Sequence, residues 1–399
     1  MFFLFGTKSV VLLILAGLLL FCFLLVLVRF FKDGYRADLF LGILLLAALG
    51  QLLPFLLGYA GWYSREPFRS WLFYWPLQQL LLIPVLFNFY LQFVLYPTAV
   101  FRRKYLLHFL PALIYNIYVL VPAFLEIGGA DTGFYQNQRD PDFDQWYQLL
   151  GFLCFLGYLI ASLARYARYR KWIFAETSFA EQLQLNWIRI VLTLFIVLCA
   201  ARVLFFILNP EWGEFGKKFW YYLSSTILYV ILGITGYSHS LLRKSLEWVH
   251  SQLKRRPAPL PAIVESLSAL EPKTDQKMLS LEPAELAGLR HELEEHFEKN
   301  EPFLDPLLTL NSCAREIGWS PKKLSQTINQ GYNQNFNDFI NTYRCRSVID
   351  KLKNGEHNLH TLLGIAMDAG FNSKSTFNRS FKRLTGQSPR EYIDSQFKK

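Results

Sequence analysis

The chain has 399 residues, 52% hydrophobic and 17% aromatic, with a net charge of +10 and only 18% charged residues. An ordinary soluble domain carries roughly 25% charged residues, so the chain as a whole falls below the usual soluble composition. The basic balance suits both nucleic acid and the cytoplasmic face of a membrane, and does not separate them.

The average hides a split. Charge is sparse up to about Tyr237 and dense afterwards, which joins a membrane half to a soluble half. The five cysteines show no CxxC or CxxxC spacing. Free thiols in a reducing compartment are therefore expected, rather than disulfides or zinc. The apolar run from Val10 to Phe31 is too long for a cleavable signal and is closed by Arg29 and Lys32. It is expected to remain as a membrane span.

A helix needs about 20 apolar residues to cross the hydrocarbon core. Seven stretches qualify: 9–31, 37–60, 71–96, 105–125, 146–166, 187–209 and 218–240. Basic residues follow every odd span. They are Arg29, Lys32 and Arg36; then Arg102, Arg103 and Lys104; then Arg165, Arg168, Arg170 and Lys171; then Arg243, Lys244, Lys254, Arg255 and Arg256. The loop from Glu126 to Asp144 is acidic instead. The positive-inside rule then predicts an external N-terminus and a cytoplasmic C-terminal half.

Trp62, Tyr63, Trp71, Trp75, Trp146, Tyr147 and Trp212 gather at span ends, as interfacial aromatic belts do. Pro54, Pro84 and Pro111 lie inside spans and are expected to kink them. Arg202 in the sixth span, and Gln78 and Gln79 in the third, each sit about two turns from the outer end. A guanidinium at that depth must snorkel, face the bundle or meet an anion. One reading makes Arg202, Gln78 and Gln79 an outward-opening ligand pocket; the other makes them structural pairs. The spans carry no visible inverted repeat and no HExxH or GxSxG motif, so they read as sensor or anchor, and no catalysis is expected.

Past the spans, Pro257, Pro259, Pro261 and Pro272 make residues 246–281 a spacer, with Lys254-Arg255-Arg256 against anionic lipid. Residues 282–300 return to helical periodicity through Leu286, Leu289, Leu293 and Phe297, with Pro283 in the first turn. This helix either packs on the domain that follows or serves as a dimerisation or relay element.

Residues 301–399 hold one short pattern twice. Ala314-Arg315-Glu316-Ile317-Gly318-Trp319-Ser320 recurs fifty-two positions later as Ala366-Met367-Asp368-Ala369-Gly370-Phe371-Asn372. A small residue lets two helices cross closely, and the glycine takes the sharp turn between them. The second helix of unit one is capped by Ser320 with Pro321 in its first turn, buries Leu324 and Ile328, and exposes Lys322, Lys323, Ser325, Gln326 and Asn329. In unit two, Ser373 to Leu384 carry an inner stripe of Phe377, Phe381 and Leu384. The outer face holds Lys374, Ser375, Thr376, Asn378, Arg379, Lys382 and Arg383. Residues 361–399 contain seven basic and three acidic residues. Lys382 and Arg383 are placed for phosphates, and the residues at the helix start for base edges. A helix from Phe336 to Leu352 joins the units, and Ser388-Pro389-Arg390-Glu391 forms a closing capping box. His357 and His360 lie in a polar loop without further ligands, so no metal site is expected.

The run Ala366-x3-Gly370-Phe371-Asn372-Ser373-Lys374-Ser375-x-Phe377-x3-Phe381-Lys382-x2-Thr385-Gly386-x-Ser388-Pro389-x2-Tyr392 resembles the signature of the AraC/XylS family of bacterial transcription regulators. The resemblance covers about Leu307 to Phe397. It implies two helix-turn-helix subdomains on a linker helix, usually paired as dimers, and DNA contacts from the second helix of each. Carried onto this chain, those contacts are Lys322, Lys323, Ser325 and Gln326, then Lys374, Ser375, Thr376, Asn378 and Arg379. Three departures stand out: Gly364 inside a helix, Cys313 in place of a larger aliphatic residue, and spans where most members carry a soluble ligand-binding domain.

The expected protein is all-α: a seven-span bundle over 1–245, then a cytoplasmic tandem helix-turn-helix. It is expected to regulate transcription from the membrane without a cofactor. The expected partners are double-stranded DNA, the lipid bilayer, RNA polymerase, a second copy of the chain, and a small-molecule or membrane-borne signal. The alternative is a transporter or membrane enzyme fused to a DNA-binding module.

Overall fold

The structure is a computed structural model describing residues 3–129, 140–204, 218–238, 282–356 and 359–396. The spacer at 246–281, His357 and Trp212 lie outside the described residues. Among the described residues every regular element is helical, apart from one isolated antiparallel bridge between Thr177 and Thr309. The chain divides into two compact units, Met1–Ala167 with Leu185–Gln252, and Arg168–Gln184 with Leu253–Lys399.

The first unit contains α1 (Thr7–Asp33), α2 (Arg36–Tyr59), α3 (Phe68–Tyr74), α4 (Ile83–Leu95), α5 (Leu110–Ile127), most of α6 (Gln145–Glu176), α8 (Asn186–Val203) and α9 (Phe219–Ser238). Six helices among the described residues are long and apolar enough to cross a membrane. Their burial is one-sided where they face outward. On α1, Leu12, Ala16, Leu19, Cys22 and Val26 recur at three and four and are buried, while Ile14, Phe21 and Phe31 stand exposed. So much exposed apolar surface on a regular helix fits lipid, not water. α2 is buried on most of its circumference and packs against α1, α4 and α9.

The third expected span, 71–96, is not one helix. α3 ends at Tyr74, and α4 begins at Ile83. Trp75 is extended (φ −107°, ψ 129°) because Pro76 follows it. The unwound backbone is satisfied from elsewhere in the chain. Gln78 N donates to Asp142 Oδ2 at 2.8 Å, Leu80 N donates to the Tyr147 hydroxyl at 3.1 Å, and that hydroxyl donates to the Gln78 carbonyl. Irregular backbone at membrane depth is tolerated only where protein supplies such partners. Pro84 and Pro111 open α4 and α5 instead of kinking a span, because proline's missing N–H costs nothing in a first turn. Pro54 does lie inside α2.

The second unit contains the end of α6 from Arg168, α7 (Ala180–Leu183), α10 (Pro283–Asn300), α11 (Leu310–Ile317), α12 (Pro321–Tyr332), α13 (Phe336–Lys353), α14 (Leu362–Asp368), α15 (Lys374–Thr385) and α16 (Pro389–Gln396). It has two cores. One gathers Leu293, Phe297, Cys313, Ala314, Leu324, Ile328 and Phe339; the other gathers Val348, Leu352, Ile365, Ala366, Phe371, Phe377 and Phe381. α13 supplies residues to both, as the sequence expected of a linker helix. The apolar stripe of α10 is absorbed into the first core. Its polar residues also bind there: Trp319 Nε1 donates to Glu292 at 3.1 Å, and the Tyr332 hydroxyl donates to Glu294 at 2.7 Å.

Candidate nucleic-acid interface

The two turns are built alike. Gly318 and Gly370 take φ of 80° and 90°, a region costly for residues with a Cβ. After each, the aromatic residue's N–H returns to the small residue five positions back: Trp319 to Ala314 at 2.8 Å, Phe371 to Ala366 at 3.1 Å. Both alanines are fully buried at the helix crossing. Capping also repeats. Ser320 Oγ accepts from Lys323 N at 3.2 Å and Ser373 Oγ from Thr376 N at 3.1 Å, fixing where α12 and α15 begin. The closing capping box forms, with Ser388 N donating to Glu391 at 2.7 Å and Glu391 N to Ser388 at 3.3 Å.

The predicted DNA residues then fall as follows. On α12, Lys322 is exposed, while Lys323, Ser325 and Gln326 are half-buried; the Lys323 ammonium lies 4.5 Å from the centre of the Trp319 ring. On α15, Lys374, Ser375, Asn378, Arg379, Lys382 and Arg383 are all exposed. Arg383 also pairs with Asp338 of α13 at 2.8 Å. Two details depart from expectation. Leu384, assigned to the inner stripe, is 42% exposed, because the second core closes on Phe381 and Tyr392. Thr376, assigned to the outer face, is buried, its hydroxyl donating to Glu181 at 2.7 Å.

Sequence reasoning missed Arg344. It is fully buried on α13 and donates to the carbonyls of Phe303 at 2.8 Å and Asp305 at 2.7 Å, and to Ser178 Oγ at 3.1 Å. Burial pulls its pKa down to about 10, against a partial opposing effect of Asp305. Its spacing from other residues carries no motif that would have revealed it.

In the first unit, Arg202 turns into the bundle. It donates to the Gln148 carbonyl at 3.1 Å and to Gln148 Oε1 at 2.9 Å. It lines a cavity of about 20 Å³ with Gln51, Tyr221, Ser225 and Tyr229, beside Leu80 and Pro84 of the broken span. That volume holds roughly one water. Gln51 Oε1, buried there, has no hydrogen-bond partner among the described residues. Gln78 and Gln79 do not line this cavity. Gln78 Oε1 accepts from the Tyr222 hydroxyl at 3.3 Å, and Gln79 Nε2 donates to Pro76 O at 2.6 Å and Asn116 Oδ1 at 3.0 Å.

Comparison with known proteins bears on the C-terminal part. Residues 313–395 match the family described as a helix-turn-helix domain. Uncharacterized HTH-type transcriptional regulators of Staphylococcus aureus strains COL, MSSA476 and N315 are each 33% identical over 86 residues, which is 21% of this chain. The chain spans only 11% of the length of these curated relatives. No solved structure gives a significant match. With paired glycine turns, paired caps and a shared linker helix, residues 313–395 form a helix-turn-helix module of the AraC type.

Proposed function

We propose that this chain is a membrane-embedded, sequence-specific DNA-binding transcription regulator whose apolar half responds to an external or membrane-borne signal. The observation that carries this reading is the start of α15. A serine cap, a glycine turn and a three-phenylalanine core hold Lys374, Ser375, Asn378 and Arg379 on the outward side of one short helix, with a sister helix in α12. That is the geometry by which a helix-turn-helix reads a major groove. Arg379 and Asn378 suit base edges; Lys374, Lys382, Lys322 and Arg383 suit phosphates. Lys323, Ser325 and Gln326 would serve the sister groove. The names of the relatives support transcription control.

In this reading residues 1–245 lie in a bacterial inner membrane with the N-terminus outside, 246–281 form the juxtamembrane linker, and 282–399 face DNA and RNA polymerase, paired with a second copy. The chain itself performs no catalysis. Arg202 and Gln51, whose Oε1 lacks a partner among the described residues, give the span half a polar interior beside a broken helix, which favours sensing over anchoring alone. Gln78 and Gln79 support that break. The same broken helix is the one feature that favours the transporter alternative.

The test is binding of full-length protein in lipid nanodiscs to duplex DNA. Affinity should fall steeply as salt rises, since counterions are released. Arg379→Ala should relax specificity, by about 1–3 kcal/mol for a lost bidentate base contact. Salt-insensitive or absent binding would refute the reading. Uptake of a solute by the 1–245 segment would support the transporter alternative.

A further inference from the structure

One side of the start of α15, at Thr376 and Arg379, is already contacted by this chain's own loop. Residues 168–184, between two apolar helices, belong to the compact unit of the DNA-reading module. After α6 ends at Glu176 the backbone pairs with Thr309 through Thr177, and Ser178 N donates to the Leu308 carbonyl at 3.1 Å. Asn337 of α13 donates to the Thr177 carbonyl at 3.3 Å, and Arg344 reaches Ser178. Thr177, Ser178, Phe179 and Ala180 are all buried. The loop is therefore seated in the module's interior and is not resting on its surface.

From that seat α7 reaches the start of α15. Gln182 Nε2 donates to the Asn372 carbonyl at 3.0 Å. The Glu181 carboxylate accepts from the Thr376 hydroxyl at 2.7 Å, and its other oxygen pairs with the Arg379 guanidinium. Thr376 and Arg379 are three apart and share one side of the helix start, and the Asn372 carbonyl lies just before its Ser373 cap. Glu181 is only 10% exposed, whereas Arg379 still presents 60% of its side chain. A guanidinium donor given to a carboxylate oxygen is not free for the O6 or N7 of a guanine in the major groove. Arg379 can satisfy one such partner at a time.

We propose that the 177–184 loop is an intramolecular competitor for DNA, with Glu181 occupying the site on Arg379 and Thr376 that a base edge would take. This rests on the DNA-reading role assigned to α15 above. DNA engagement by the second helix-turn-helix then requires the loop to withdraw. The loop is continuous with α6 on one side and α8 on the other, so a rearrangement of those helices changes how much recognition face is available. No new contact with the signal is needed in the DNA-binding module.

The experiment compares full-length wild type and Glu181→Ala in nanodiscs, titrated with a random-sequence duplex pool and with the duplex enriched from it. The expected result is about tenfold tighter binding by Glu181→Ala to the enriched duplex, the equivalent of about 1.4 kcal/mol. In parallel, amide hydrogen exchange is followed across the 177–184 loop of the wild type. The expected result is faster exchange at Ser178 when DNA is added. Unchanged binding by Glu181→Ala overturns the proposal because Glu181 would then not compete with DNA, and weaker binding overturns it because Glu181 would then be positioning Arg379 for DNA. If the variant does not fold, wild-type exchange decides: protection that stays or increases with DNA overturns the proposal. If wild type and a folded Glu181→Ala both fail to bind any duplex, the DNA-reading role itself falls, and this proposal with it.

Discussion

Arg344 and Gly370 meet where the linker helix passes the second turn: a Cβ placed on Gly370 would lie 3.0 Å from Arg344 Nε and closer still to the carbonyl oxygen of Phe303. The glycine thus meets two demands, a φ of 90° and a close approach. Gly318 has a similar φ of 80°, yet nothing lies within 4 Å of its would-be Cβ. The two turns look equivalent in sequence and are not equivalent in packing.

Substitution by alanine should separate them. Gly318→Ala carries only the left-handed backbone cost, about 1–2 kcal/mol. Gly370→Ala adds overpacking of about 1–3 kcal/mol. Thermal unfolding of the full-length protein, with exchange of the α14 and α15 amides as the local readout, checks the order. Equal effects would mean that the Arg344 side chain and the 303–304 backbone yield freely.

Arg344 is expected to resist conservative change. Arg344→Met leaves the buried Phe303 carbonyl unpaired, at about 1–3 kcal/mol, and the part-buried Asp305 carbonyl unpaired at a smaller cost, since water can reach it. Arg344→Lys should recover less than half of the loss, because an ammonium cannot reproduce the planar fork that reaches three partners. Denaturant titration of both variants measures this directly, and full rescue by lysine would contradict it.

The first unit should be more stable in mild acid. Outside the spans, burial and the neighbouring Asp142 push the Asp140 carboxyl upward, and Lys218 opposes this only in part. Asp142 is also raised by burial, against donors from Tyr115 and Gln78. The folded state therefore holds a proton that the unfolded chain releases. That contribution is complete below the ordinary carboxylate range and is lost as pH rises through the raised folded value. Melting in detergent should be higher at about pH 5 than at about pH 7.5, by at most about 1.4 kcal/mol per pH unit per group. Asp140→Asn should flatten the dependence.

Arg383 faces two partners. It is 54% exposed and paired with Asp338, which is 25% exposed, so the tie itself is worth less than about 1 kcal/mol. Asp338→Ala should leave stability nearly unchanged and free Arg383 for phosphate, giving equal or tighter DNA binding. Arg383→Ala should weaken binding across sequences and reduce the salt slope by about one. Weaker binding from Asp338→Ala would make the pair a positioning device.

Legibility in the sequence followed the range of the interaction. The glycine turns, the Ser320 and Ser373 caps and the Ser388–Glu391 box depend on neighbours within five residues, and their spacing announced them. Hydropathy marked the long helices for the same reason. The break in the third span did not announce itself. Pro76 hinted at it, but the unwound backbone survives only because Asp142 and Tyr147 reach it from more than sixty positions away. Arg202 was left to snorkel, face the bundle or meet an anion, and its partner Gln148 and the cavity's Gln51 were invisible, as they sit on other helices. Thr376 was placed on the outer face by helical period; its cover comes from Glu181, a lone carboxylate in a loop with no pattern of its own.

α6 runs unbroken for 32 residues. At about 1.5 Å per residue it is about 48 Å long, against a hydrocarbon thickness of about 30 Å. That length is more than one crossing of the hydrocarbon requires. Under the proposed function, a regulator held in the bilayer by its own chain cannot diffuse to its promoter, so the promoter must travel to it. Gene position on the nucleoid becomes part of the circuit: moving an operator from the cell periphery to its centre should slow the response without altering a single contact.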